Sequence, residues 1–225
     1  MKASKRQIQI AGLIVLITLS AFTTFSTPPD GRAQIGDHSG QVKKFRRKRD
    51  KEFRDPKQSP LGPAEVAHFR GLSYFKVKPT YRVRARFIRT PAEKKFGMPT
   101  STGATGIYVK YGELRFSLQG RSYKLGAYQS ERLSKTEEYK NHLFIPFTDL
   151  TSGKETYGGG RYIDFAIPAS GHVTLDFNLA YNPSCAYSSR FSCPIPPREN
   201  RLSVKIKAGE RGYRKSSKAG AAPNK

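Results

Sequence analysis

From Leu72 onward, apolar and polar residues exchange places at every second position, which is the period of a strand with one buried face. "TYRVRARFIR" (80–89) is the clearest case. Tyr81, Val83, Ala85 and Phe87 fall on one side and Arg82, Arg84 and Arg86 on the other. "GIYVKYGELRFSLQG" (106–120) reads as a strand, a turn at Gly112 and a second strand with Leu114, Phe116 and Leu118 inward, and "RSYKLGAY" (121–128) follows as a hairpin arm. "NHLFIPF" (141–147) is a buried strand that Pro146 assigns to an edge or a bulge, because proline cannot donate to a ladder. "RYIDFAI" (161–167), "HVTLDFNLAY" (172–181) and "RLSVKIK" (201–207) supply three more. In the middle one, Val173, Leu175, Phe177 and Leu179 point inward, leaving Thr174, Asp176 and Asn178 outward. Helical signal is confined to an N-terminal segment with Val42, Phe45 and Phe53 loosely on one face, and to "SERLSKTEEY" (130–139), which reads equally as a loop.

Short strands, glycine and proline turns and the lack of a long amphipathic helix predict an all-β fold. The expected form is an antiparallel sandwich or a partly open barrel with a short N-terminal helical segment. At 225 residues and 36% hydrophobic content the chain suits one domain with tails. The expected divisions are a signal peptide or membrane anchor over 1–33, a basic linker or helix over 34–57, the β-rich domain over 58–213 and a disordered basic tail over 214–225.

The N-terminus predicts export. Lys2, Lys5 and Arg6 precede the apolar run "IQIAGLIVLITLSAFTTFS" (8–26), and no charge intervenes before Asp30. The run lies between a signal-peptide core and a bilayer span, so cleaved signal and retained anchor stand as alternatives. Both place the domain outside the cytoplasm, secreted, periplasmic or tethered to the membrane. No cysteine follows the run to take a lipid. The two cysteines, Cys185 and Cys193, lie in "NPSCAYSSRFSCPIPP", and an oxidising compartment predicts a disulfide between them. Closure of so short a loop contributes about 2–3 kcal/mol in the chain-entropy model. A metal site would need further ligands at close spacing, and none is there, so no metal or cofactor is expected.

The net charge of +24 raises the question of nucleic acid. Its distribution argues otherwise. Segment 42–57 has nine basic residues against three acidic, the chain from Lys205 has seven against one, and 58–204 still holds 21 against 11. Beside a membrane anchor the first cluster would meet headgroups, though its plainest reading is a solvated linker helix. The strand face of Arg82, Arg84 and Arg86 invites anions. For an exported protein, acidic glycans or lipid headgroups are better partners than nucleic acid, and a simple solvated face is better still.

Familiar catalytic patterns fail. The four histidines are scattered, no GxSxG elbow occurs, and "TSGKE" lacks both the upstream glycine and the Ser/Thr of a P-loop. "GGGRYI" misses the dinucleotide spacing and precedes a strand rather than a helix. What survives is composite. Asp149, Glu155, Tyr157, Arg161 and Asp164 surround the glycine turn, while Asp176, Asn178, Tyr181 and Asn182 occupy the next strand and its exit. If strands 161–167 and 172–181 pair as a hairpin through "PASGH", the two clusters share one end of the domain. There they would hold a small ligand, an anionic envelope polymer or a protein. A hydrolase or lyase using two of Glu155, Asp164 and Asp176 is the alternative. A purely structural role, with Arg161 bridging Glu155 or Asp164, is the other.

"LFIPFTDLTSGKETYGGGRYIDF" and "LDFNLAYNPSCAYSSRFSCPIPPRENRLSVKIKAGE", with "RKRDKEF", "SPL" and "FRGLSYF" upstream, resemble the DUF1684 family of unknown function over residues 42–213. The likeness is to its compact form, since longer members carry an extra region before the "GLSYF" signature. It implies that the glycine turn and the Asn-Pro/Cys-Pro loop belong to the family's own pattern, and it implies no activity.

Overall fold

The computed structural model describes residues 31–213, with side chains described from His38. The apolar run expected to direct export and the basic tail expected to be disordered lie outside the described residues. No helix among the described residues is long and apolar enough to cross a membrane.

Seven strands form one antiparallel sheet: β1 (Arg82–Arg89), β2 (Phe96–Pro99), β3 (Thr105–Leu118), β4 (Arg121–Ser130), β5 (His142–Phe147), β6 (Arg161–Ala166) and β7 (His172–Asp176). Their order is β6-β5-β4-β3-β1-β7, with β2 pairing onto β3. The alternation of β1 is realised: Ala85 and Phe87 are buried while Arg82, Arg84 and Arg86 are exposed. β3 and β4 form a hairpin in register from Leu118↔Arg121, and its two-residue loop takes positive φ at Gln119 (52°) and Gly120 (74°), matching the strands' right-handed twist.

The sheet curls into a half-barrel. Its β6 edge meets the chain leaving β7, where Tyr162 and Tyr181 exchange backbone hydrogen bonds of 2.9 and 3.0 Å. Inside lies the main core, including Ala85, Leu114, Leu125, Leu143, Ile145, Phe147, Leu175 and Phe177. Outside β4–β6, Met98, Tyr128, Phe144 and Tyr162 form a second cluster, so β5 is buried on both faces.

Several expectations give way here. Gly112 is no turn: β3 runs through it with a bulge, and a Cβ there would stand 2.5 Å from the Phe87 ring. β5 is an interior strand, but it pairs with β4 only at Tyr128↔Phe144. Beyond that, the Asn200 side chain bridges the gap. It accepts from Gly126 N–H at 2.7 Å and donates to the carbonyls of Gly126 (2.9 Å) and Pro146 (2.7 Å), so Pro146 tolerates its interior place. Segment 201–207 is irregular, although Leu202 and Ile206 are buried. Ser130 ends β4, and residues 131–139 form turns around a single 3-10 helix, Leu133–Lys135. β6 and β7 are no hairpin, since they lie at opposite ends of the sheet.

The basic segment is an integral part of the fold. Helix α1 (Gly31–Arg54) docks through Phe53, which packs edge-on to Tyr187 at 4.7 Å beside Leu61. His38 and Val42 are also buried against the domain. A short helix α2 (Pro63–Ala67) follows.

Candidate functional site

The glycine turn is built on Thr151. Its carbonyl accepts from the amides of Lys154, Glu155 and Thr156 at 2.9–3.1 Å, which coils the chain tightly. Gly153 (φ 77°) and Gly160 (φ 91°) supply left-handed backbone, and a Cβ on Gly160 would meet the Phe147 carbonyl at 2.6 Å. Asp149 anchors the coil: its Oδ1 accepts from the Thr151 amide (2.7 Å), the Thr151 hydroxyl (2.6 Å) and the Ile206 amide (3.2 Å).

Arg161 holds this turn to the C-terminal segment. Its Nη2 donates to Asp149 Oδ2 at 2.8 Å and to the Ile206 carbonyl at 2.9 Å, and its Nη1 to the carbonyls of Ala208 and Glu210. Neither Glu155 nor Asp164 is its partner. Glu155 pairs with Lys207 at 3.1 Å. Asp164 is exposed, accepts from the Tyr181 hydroxyl at 2.6 Å and lies 3.2 Å from His142 Nε2.

The second cluster is interior. Asp176 and Asn178 are buried, because the strand ends at Asp176 and a 3-10 turn breaks the alternation. Asp176 meets His38 Nε2 at 2.6 Å and accepts from the amide and side chain of Asn178 at 2.9 and 2.8 Å. Asn178 in turn exchanges two 2.9 Å bonds with the backbone of Lys78. Asn182 donates from its backbone and side chain to Glu210 at 3.1 and 3.0 Å.

The two clusters therefore share one end of the half-barrel, though through its curl rather than through a hairpin. Glu210, which sequence reasoning passed over, joins them. It is 1% exposed, accepts from the Tyr187 hydroxyl and sits 3.7 Å from Arg49 of α1. Burial pushes its carboxyl up to about 7, against the pull of Arg49 and the Asn182 donors. Nothing in "KAGERGY" signals a buried acid, since its neighbours are charged or small. His38 was hidden for the same reason.

Beside the turn lies a cleft of about 690 Å³. The turn from Gly153 to Gly158 forms one wall, with Lys154, Glu155 and Tyr157; Glu210, Arg211, Gly212 and Tyr213 form another, and Gly71, Leu72 and Ser73 complete it. The Gly212 amide ties the walls together by donating to the Glu155 carbonyl at 3.0 Å. Tyr157 also reaches the cysteine loop, its hydroxyl 3.6 Å from Cys185 Sγ. Cys185 and Cys193 stand as free thiols, with the Cys185 amide donating to Cys193 Sγ at 3.1 Å. A hydrogen bond from Cys193 lowers the Cys185 thiol to about 6, while Cys193 is pushed up by the same pairing. Among the described residues no group of His, Cys, Asp and Glu is arranged to hold a metal.

Comparison with known proteins bears on the whole unit. The model of a family described as "Protein of unknown function (DUF1684)" matches residues 67–211. The solution NMR structure of an uncharacterised protein from gene locus rrnAC0354 of Haloarcula marismortui is 38% identical. It superposes with a TM-score of 0.63, over 80% of this chain and 96% of that one. No curated protein matches.

Proposed function

The chain belongs to the DUF1684 family of unknown function, and from that premise we propose that it is a noncatalytic extracytoplasmic binding module of the cell envelope, with its ligand seated in the cleft beside the glycine turn. The observation that carries this reading is how the polar residues are employed. Asp149, Glu155, Asp164 and Asp176 each end on different partners, and none shares a hydrogen-bonded group with another. Acid–base chemistry by paired carboxylates needs two that face one substrate; of these four only Glu155 lines the cleft, and Glu210, which lines it too, is 1% exposed and engaged by Tyr187 and Asn182. The groups left for a ligand are the Lys154 ammonium, the Tyr157 ring and the glycine backbone, which suit a polar ligand with a face to stack, while the Tyr213 ring is packed 5.0 Å from that of Tyr187. The basic N-terminus and apolar run support export, through a cleaved signal or a retained anchor. In that compartment Cys185 and Cys193 form a disulfide, favoured by their contact and by the thiolate character of Cys185.

Thermal-shift titration of the full chain with cell-wall glycan fragments, lipids and small anions tests the reading. At least one class should raise Tm, and Tyr157→Ala or Lys154→Ala should abolish the shift. A panel without effect, or binding indifferent to both substitutions, would overturn it.

A further inference from the structure

The convex face of the sheet carries an arrangement that strand-by-strand reading does not reveal. Lys124 of β4 pairs with Arg115 of β3, Arg115 with Arg86 of β1, and Arg86 with His172 of β7. Four basic side chains thus stand in one line across four neighbouring strands. At about 4.8 Å per strand the line is about 14 Å long. Alongside it runs a row of hydroxyls and a further arginine: Ser122 pairs with Ser117, and Arg84 pairs with Thr174. All of these except Thr174 line a groove of about 720 Å³.

Like charges directly opposite each other destabilise a sheet, so this row costs the fold something and is only partly offset. Glu113 accepts from Arg115 at 2.8 Å and lies 3.7 Å from Lys124. Arg84 and Arg86 have no carboxylate partner among the described residues and are exposed.

We propose that this groove, separate from the cleft beside the glycine turn, binds a linear polymer bearing repeated phosphate groups. A line of cations, Lys124, Arg115 and Arg86, suits a chain of anions better than a single ion. Arginine forks flanked by hydroxyls suit an oxyanion with more than two oxygens. A lipid surface would call for apolar side chains beside the charges, but the large exposed ones, Ile107, Leu150 and Ile195, lie outside the groove. A single-stranded nucleic acid would call for exposed rings on which bases stack. The groove's aromatics are instead engaged with each other, Tyr123 stacking on the buried Phe116 at 6.0 Å.

The test is binding of inorganic polyphosphate to the full chain across a salt series. Poly-glutamate of equal charge, a single-stranded oligonucleotide and anionic lipid vesicles serve as comparison probes. The double variant R84Q/R86Q should weaken polyphosphate binding about tenfold or more. It should lower the slope of log affinity against log salt by about 0.7 per lost contact. K43Q/K44Q, which removes the same charge from the exposed face of α1, should change affinity less than about twofold. Thermal melts should show R84Q/R86Q at least as stable as the parent, because like-charge repulsion is relieved. Equal loss in both variants would overturn the proposal. So would poly-glutamate, oligonucleotide or vesicle binding as tight as polyphosphate and equally dependent on Arg84 and Arg86.

Discussion

Arg161 and Asp149 form a 2.8 Å ion pair in which each side chain is only 1% exposed. The pair joins the first residue of β6 to the glycine turn, and the remaining guanidinium donors hold the carbonyls of Ile206, Ala208 and Glu210. A residue that looks like a ligand-binding arginine is thus the fastener of the C-terminal segment. Asp149→Ala leaves that guanidinium buried without its counter-charge, which costs about 3–5 kcal/mol. Urea denaturation should show the midpoint falling accordingly, and a loss under about 1 kcal/mol would refute this role.

Stability should fall as pH rises through neutrality. Burial lifts Glu210 from its ordinary 4.5 to about 7, so the folded state binds that proton more tightly than the unfolded chain does. Its contribution is complete below about pH 4.5 and is lost as pH passes through 7. Denaturant midpoints between pH 4.5 and 8 measure the slope, and Glu210→Gln should flatten it. An unchanged slope in that variant would assign the effect elsewhere.

Asn200 should behave as a piece of sheet. Its amide satisfies both backbone groups of Gly126 and the carbonyl of Pro146, all within the interior. Asn200→Ala orphans three polar groups at about 1–3 kcal/mol each. Chemical denaturation should register several kcal/mol, and hydrogen exchange at the Gly126 amide should accelerate more than at core amides of β3.

Gly160→Ala should be poorly tolerated. The residue sits at φ 91° with the Phe147 carbonyl where a Cβ would go, and Pro196 is 2.8 Å from the same point. The expected loss is about 2 kcal/mol or more. By contrast, Gly103→Ala meets no neighbouring atom and carries only the cost of its positive φ, 83°. Paired thermal melts compare the two, and equal losses would contradict the steric account.

Protein exported and isolated without reductant should resist thiol labelling at Cys185 and Cys193. Mass spectrometry should find it two hydrogens lighter than the reduced form, and free thiols would refute the disulfide. The same spectra, read at the mature N-terminus, separate cleaved signal from retained anchor.

Long strands with one-sided burial were legible, while the four-residue β2, too short to show a period, was not read from the sequence. β1 exposes its arginines in alternation, and Leu114, Phe116 and Leu118 are buried on the inner face of β3. Legibility failed where a side chain stood in for backbone. Asn178 pairs with the Lys78 backbone and Asn200 with Gly126 and Pro146, and neither substitution has a periodic signature. The helix was visible, but its docking was not. A segment with nine basic residues reads as solvated, yet Arg49 lies 4.8 Å over the Tyr181 ring and Arg46 4.4 Å over that of Tyr74. The long stems and flat heads of arginine let a charged helix pack against a domain.

Local pattern was thus enough for an antiparallel, strand-built domain and for the glycine turn as its most constrained loop, because alternation and backbone freedom are properties of neighbouring residues. Partnership was not. That Arg161 meets Asp149, that Asp176 meets His38 across 138 residues, and that Lys124, Arg115, Arg86 and His172 stand in one line follows from register and from the curl of the sheet. Those arise when distant strands bury a common face, so no stretch of chain read alone contains them.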